Sequence, residues 1–260
     1  MVKGIDLFRQ RFREHEGSFV LIGGVACDEW FTSMGLTFRA TKDLDIVLII
    51  EVLTPKIVRE IRSFITDGGY EIRQKTTGTP VLYRFAKPAN MEFPSMLELF
   101  SRKPDGLQLE DDQNIIPISA DAHHHSLSAI LLDNDYYSLI KTHQVIRDGL
   151  PFATATSLIP LKARAWLDLT DRKAKGEKID TNDIVKHRND VFRLAGTLPE
   201  ESDPQLPSTI TDDLVKFLHA FPETSQEWAS ILSSLKNTLG NAITPAALRT
   251  AIQTFFRLST

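Results

Sequence analysis

The pattern of hydrophobic and polar positions changes about halfway along the chain. The first half alternates short apolar runs with amphipathic helical segments, separated by glycines, prolines and polar stretches. From Thr156 onward, the long segments have the hydrophobic spacing of amphipathic helices. This division predicts an α+β protein with an α/β domain at residues 1–155 and a helical domain at residues 156–260.

The same pattern predicts the individual elements. The helices expected in the first half are an opening helix that includes Phe8 and Phe12, then Val25–Met34 and Pro55–Thr66. The strands expected there are Phe19–Ile22, Leu44–Ile50, Val81–Ala86, Ser95–Phe100 and Ala129–Leu132, with a short one at Ile115–Ile116. The helices expected in the second half are Leu158–Arg172, Thr181–Ala195, Ile210–Phe221, Ser225–Leu239 and Pro245–Leu258.

Composition limits the class of protein. The 260 residues are 42% hydrophobic and 25% charged, with a formal net charge of -4 and one cysteine, Cys27. These are the fractions of an ordinary globular protein, and a single cysteine excludes an internal disulfide framework. The N-terminal segment lacks the apolar region of a secretory signal, and no apolar run is long enough to span a bilayer. We therefore expect a cytoplasmic protein with no membrane partner.

The candidate chemistry lies between Phe19 and Ile50. A predicted strand ends at Gly23-Gly24, a helix follows, and the next strand begins with Asp43-Leu44-Asp45. Paired glycines let a ligand approach the backbone closely, and the free N–H groups at the start of a helix favour an anion such as phosphate. Because residues i and i+2 of a strand point to the same face, the two aspartates present their carboxylates side by side.

Two adjacent carboxylates favour a cation between them, because their like charges otherwise repel each other. Mg²⁺ prefers oxygen ligands and is commonly held by one or two carboxylates together with substrate phosphates. Mn²⁺ is the alternative ion. A phosphate-binding turn beside such a pair is typical of chemistry on a nucleoside triphosphate such as ATP or GTP.

The order of Gly23-Gly24 on a strand-to-helix turn and Asp43-Leu44-Asp45 on the next strand resembles the nucleotidyltransferases of the DNA polymerase β superfamily. The resemblance implies a mixed β-sheet with flanking helices and a site where three carboxylates hold two metal ions. It also implies that Gly23 and Gly24 bind the nucleotide and that Asp43 and Asp45 are catalytic metal ligands.

The resemblance implies further residues of the site. The third catalytic carboxylate, also a metal ligand, would be Glu98 on the strand Ser95–Phe100, with Glu92 as the alternative. The basic approach to the aspartates contains Arg39 and Lys42, which would contact the nucleotide phosphates.

Two segments of the helical half extend the resemblance. Lys162 lies in Leu158–Trp166, and Asp190 lies in Lys186–Leu194. These segments resemble the C-terminal motifs of the AbiEii-like toxins of type IV toxin–antitoxin systems. Lys162 would then bind the nucleotide phosphates as a catalytic residue, and Asp190, or alternatively Asp183, would be the helix-borne catalytic acid. The same resemblance implies an RNA acceptor, such as a tRNA, and a cognate antitoxin protein as partner.

Other functions stay open. The glycine pair and the aspartates also resemble antibiotic nucleotidyltransferases, which would take a small-molecule acceptor, and a nucleotide-binding module without catalysis is a third hypothesis. The net charge gives no global attraction to nucleic acid, so an RNA acceptor needs a local basic surface. Its candidate residues are Arg39, Lys42, Lys162, Arg164, Arg172 and Lys173. The roles of His123–His125 and of the C-terminal helices are not predicted.

Overall fold

An α+β fold is present in the computed structural model, which describes residues 2–74, 80–105, 115–118, 127–199 and 204–259. The chain divides into two compact units, Met1–Ala153 and Thr154–Thr260. The described part of the first unit contains a mixed β-sheet with flanking helices, and that of the second contains helices and no strand. The predicted fold class is therefore confirmed. Within the described ranges, no helix has both the length and the hydropathy needed to cross a membrane.

In the described residues, the first unit has a nine-stranded sheet. Seven of its strands have the order β3-β4-β5-β2-β1-β9-β8, and the other two, β6 and β7, pair with each other and join the sheet through β7 and β5. Strand β2 lies between β1, to which it is antiparallel, and β5, to which it is parallel. The strands of the described residues are β1 Phe19–Ile22, β2 Asp43–Leu48, β3 Glu71–Gln74, β4 Pro80–Ala86, β5 Met96–Ser101, β6 Ile115–Ile118, β7 Leu127–Leu131, β8 Gln144–Arg147 and β9 Leu150–Ala153.

The helices of the first unit, in its described part, are α1 Ile5–Phe12, α2 Gly23–Ser33, α3 Pro55–Gly68 and α4 Asn134–Thr142. Strand β1 has both predicted bounds. Helix α2 begins at Gly23 rather than Val25, and β2 ends at Leu48 because Ile50 begins a short 3₁₀ turn. The sequence pattern did not predict β3, α4, β8 or β9. Three of these are strands of four residues, too short to show an alternating pattern.

One face of the sheet packs against an aromatic cluster. The ring centroid of Phe8 on α1 lies 4.3 Å from that of Phe12, 5.4 Å from that of Phe19 and 5.6 Å from that of Phe64 on α3. Phe19 of β1 pairs with Leu48 of β2. Because side chains alternate between the faces of a strand, the even-numbered residues of β2 point to this apolar face. Its two aspartates therefore point to the opposite face.

A network of charged and polar side chains joins the segments that leave β2 and β5 to helix α4. The hydroxyl of Tyr137 donates to Oε2 of Glu51 at 2.6 Å, and Nε of Arg102 donates to Oε1 at 3.1 Å. Nζ of Lys141 lies 3.4 Å from Oε1. Burial raises the pKa of Glu51, but the hydrogen bonds from Tyr137 and Arg102 and the charge of Lys141 outweigh it and lower this pKa to about 2.

The helices of the second unit, in its described part, are α5 Ala155–Ala174, α6 Thr181–Ala195, α7 Ser208–Ala220, α8 Trp228–Leu239 and α9 Pro245–Phe255. All five predicted helices are present, and α6 has both predicted bounds. An aromatic cluster forms the core of this unit. The ring centroid of Phe192 lies 5.4 Å from that of Phe217, 5.6 Å from that of Phe221 and 4.6 Å from that of Trp228.

Phe192→Ala is expected to lower the free energy of unfolding of the helical unit by about 3–5 kcal/mol, because it leaves a cavity among packed rings. Unfolding in urea is followed by tryptophan fluorescence, since Trp228 belongs to the same cluster. Lys236→Ala, at an exposed position of α8, is the control and should change the free energy by less than about 0.5 kcal/mol. Equal effects of the two substitutions would contradict this description of the core.

Glu51→Gln is expected to destabilise the protein at neutral pH, with a difference from wild type that shrinks as the pH falls from 4.5 towards 2. The pKa of Glu51 is lower in the folded protein than its ordinary value of 4.5, so its contribution to stability is complete above 4.5 and is lost as the pH falls through about 2. Denaturant unfolding at a series of pH values measures the difference. Glu16→Gln, at an exposed position, is the control. A difference between Glu51→Gln and wild type that stays constant over this range would refute the prediction.

Candidate active site

The predicted carboxylates of the first unit share one face of the sheet. Asp45 pairs with Ile22 of β1 on one side and with Glu98 of β5 on the other. Asp43, two residues earlier on β2, points to the same face and pairs with Met96. Neighbouring strands lie about 4.8 Å apart, so Asp45 and Glu98 are direct neighbours. Strand pairing thus gathers three acidic residues at the start of two parallel strands.

The glycine turn lies against this acidic face. Gly23, the first residue of α2, has a φ of 68°, in the left-handed region that favours glycine. A Cβ atom at Gly23 would lie 1.8 Å from Oδ2 of Asp45, and one at Gly24 would lie 2.2 Å from Oγ1 of Thr41. The carboxylate of Asp45 therefore occupies the space that a side chain at Gly23 would need. The structure brings together the turn and the aspartates, which follow Gly23 by 20 and 22 residues in the sequence.

Asp43 and Asp45 form a pair suited to a divalent cation. Both are partly exposed, and both side chains carry only oxygen ligands, which Mg²⁺ and Mn²⁺ prefer. The chemistry of this donor pair fits a magnesium ion. Within the described residues, no group of three or more His, Cys, Asp or Glu side chains is arranged to hold a metal ion.

Glu98 has a basic partner that the sequence did not predict. Arg84 of β4 is opposite Glu98 in the antiparallel register, and its Nε–H group donates to Oε1 of Glu98. The sequence signal for this contact is weak, because it depends on which strands pair and in which register. Glu92, the alternative third carboxylate, is exposed and precedes β5.

The basic approach to β2 lies in a segment without helix or strand. The guanidinium of Arg39 stacks on the ring of Phe38 at 5.0 Å and donates to the carbonyl of Ala40 at 3.4 Å. Lys42 is exposed and directly precedes Asp43, and its carbonyl accepts a hydrogen bond from the amide of Ser95. Lys42 is thus close in the chain to the acidic face and open to solvent.

Lys162 and Asp190 meet inside the second unit. Nζ of Lys162 on α5 lies 3.4 Å from Oδ2 of Asp190 on α6, and the side chains are 6% and 0% exposed. Nη1 of Arg193 donates to the other oxygen of Asp190 at 2.7 Å. Asp183, the alternative acid, is exposed in the first turn of α6. Of the two candidate acids, Asp190 is therefore the one that contacts Lys162.

The other candidate cations of the helical unit also have polar partners. Arg164 pairs with the buried Asp213 at 3.0 Å, and Arg172 pairs with Glu177 at 2.8 Å. Lys173 donates to the hydroxyl of Thr181. Carboxylates thus neutralise much of the positive charge that the sequence offers for an RNA surface. The histidines at 123–125 lie outside the described residues.

Comparisons with known proteins find a weak structural similarity. Among solved structures, the chain is similar to an antigenic nucleotidyltransferase-like protein from Paracoccidioides brasiliensis, with a TM-score of 0.39 and 12% sequence identity, over 90% of this chain and 91% of that chain. A similarity this low assigns no family, activity or substrate to the chain. The sequence matches no family model, and no curated protein matches it at a significant level.

Gly23→Ala is expected to destabilise the protein more than Gly35→Ala does. Both glycines have a positive φ near 70°, so alanine at either position carries a backbone penalty of about 1–2 kcal/mol. No atom lies within 4 Å of a Cβ at Gly35, whereas a Cβ at Gly23 collides with Asp45. The collision should add about 1–3 kcal/mol to the loss in free energy of unfolding. Equal losses in denaturant titrations would show that Asp45 does not occupy this space.

Proposed function

We propose that the chain is a metal-dependent nucleotidyltransferase that moves a nucleoside monophosphate from a nucleoside triphosphate to an acceptor hydroxyl and releases pyrophosphate. The observation that carries the proposal is the contact between the glycine turn and Asp45. A turn that favours phosphate and an aspartate pair that favours a divalent cation lie at one place, which is what a metal-bound triphosphate requires.

The candidate site residues of the first unit each have a role in this proposal. Asp43 and Asp45 would hold the Mg²⁺ or Mn²⁺ ion. Bound there, such an ion supplies positive charge that neutralises the oxygens of the triphosphate during displacement. Gly23 and Gly24 lie at the start of α2, where backbone N–H groups can donate to the phosphates.

Basic residues complete the nucleotide-binding part of the proposal. Arg39 and Lys42 precede the aspartates and supply cations for the phosphates. Lys162 and Asp190 enter through the resemblance to the AbiEii-like toxins, and Asp190 holds the ammonium group of Lys162 in place. Most of the rate enhancement would come from positioning and charge neutralisation rather than covalent chemistry.

Two classes of acceptor are compatible with this proposal, an RNA and a small molecule. The resemblance around Lys162 and Asp190 supports an RNA acceptor, a toxin activity, a cognate antitoxin and a cytoplasmic location. The neutralised cations of the helical unit, such as Arg164 and Arg172, favour the second candidate, a small-molecule acceptor of the antibiotic type.

Incubation with each of the four α-labelled nucleoside triphosphates and Mg²⁺ tests the function. Parallel reactions contain total cellular RNA or a mixture of aminoglycosides and lincosamides. We expect labelled product in one acceptor class and release of pyrophosphate, and Asp43→Asn and Asp45→Asn should reduce turnover by about a hundredfold or more. Asp212→Asn, on the exposed surface of α7, is the matched control and should retain activity.

Two results would overturn the proposal. Normal turnover by Asp45→Asn, with the fold confirmed by circular dichroism, would exclude the aspartate pair as the metal site. Nucleotide binding without pyrophosphate release in any acceptor pool would favour the non-catalytic alternative.

A further inference from the structure

Glu98 lies between an acidic and a basic neighbour on the sheet. Its partner on β2 is Asp45, and its partner on β4 is Arg84. Only 12% of the Glu98 side chain is exposed, whereas 40% of the Arg84 side chain is exposed. The carboxylate is therefore shielded from water and held by a guanidinium that is itself open to solvent.

The backbone of the sheet positions this pair. Arg84 and Glu98 are directly opposite each other on paired strands, so β4 holds the arginine beside the carboxylate. A guanidinium stays charged throughout the physiological pH range and binds carboxylates through directed N–H groups. A largely buried carboxylate needs such a partner, because an unpaired charge in that environment is strongly unfavourable. Arg84 therefore competes with any metal ion for the Oε1 atom of Glu98.

We propose that Arg84 takes the place of the second metal ion at the third carboxylate. The inference rests on the proposed function, because it concerns the same site. Asp43 and Asp45 hold one divalent cation, and Glu98 anchors Arg84 instead of binding metal. This assignment replaces the two-ion site that the family resemblance implies with one ion and one fixed guanidinium.

The geometry leaves Arg84 able to contact a substrate. A guanidinium has five N–H donors, and Glu98 accepts from the one on Nε. The exposed end of Arg84 can donate to an oxygen of the acceptor or of the transferred phosphate. A fixed cation at this position stabilises developing negative charge without any reorganisation at the moment of reaction.

The number of Mn²⁺ ions that the full chain binds without nucleotide tests the inference. Electron paramagnetic resonance measures free Mn²⁺ during the titration. We expect one ion for the wild type and two for Arg84→Gln, because that substitution frees the Glu98 carboxylate. The double variant Arg84→Gln/Glu98→Gln should return to one ion, and Arg84→Lys, which keeps the charge, should bind one.

Glu98→Gln alone gives an independent answer if Arg84→Gln does not fold. We expect Glu98→Gln to bind one Mn²⁺ ion, like the wild type. If the wild type binds two ions and Glu98→Gln binds one, the inference is wrong. A folded Arg84→Gln that binds one ion also overturns it. Arg102→Gln, which removes an arginine bound to Glu51 in the same unit, is the matched control and should not change the count.

Asp45→Asn separates this inference from the proposed function. If Asp45→Asn binds no ion and Arg84→Gln binds only one, the aspartate pair is supported as the metal site and the inferred role of Arg84 is wrong. The opposite result is also possible: Asp45→Asn still binds one ion, Arg84→Gln binds two, and the double variant Arg84→Gln/Glu98→Gln binds one. Arg84 then has the inferred role, and the aspartate pair is not the metal site.

Discussion

The parallel pairing of β2 with β5 is the constraint on which the acidic face of the first unit depends. Asp43, Asp45 and Glu98 are neighbours because β2 and β5 pair in parallel register. Such a cluster is tolerated only where positive charge or donated hydrogen bonds compensate it. Arg84 provides part of that compensation at Glu98, and the glycine turn at Gly23 leaves room for the carboxylate of Asp45. The other contacts of the sheet hold these groups in place.

Strand β2 lies in the middle of the sheet. The strand is hydrogen-bonded on both sides, by β1 and by β5, and the opposite face of the sheet packs on the rings of Phe8 and Phe64. The Glu51 network joins the segments that follow β2 and β5 to helix α4. Apolar burial and charge pairing thus support one face of the sheet and one end of its strands, and the acidic side chains lie on the other face, at the start of β2 and β5.

The helical unit uses charge differently. Lys162, Asp190 and Arg193 form an ion cluster that is nearly inaccessible to water, beside an aromatic core around Phe192. Removing one partner of a buried ion pair strongly destabilises a protein, because the other charge is left buried without compensation. Each residue of this cluster therefore depends on the others. The ammonium group of Lys162 is held by a buried aspartate, Asp190.

The sequence by itself determined the α+β class, the positions of most elements, the bounds of β1 and α6, and the presence of the glycine turn and the aspartate pair. These features depend on residues close together in the chain, such as the alternation in Asp43–Leu48 and the helical periodicity of Thr181–Ala195. The four-residue strands β8 and β9 escaped prediction because neither is an unbroken apolar run like that of β1: Gln144 and Arg147 flank β8, and Pro151 interrupts β9. Only the tertiary structure decided that Glu98 is bound by Arg84 and that Lys162 is bound by Asp190 rather than Asp183. Those contacts depend on strand register and helix packing, which join residues far apart in the chain and leave no local pattern in the sequence.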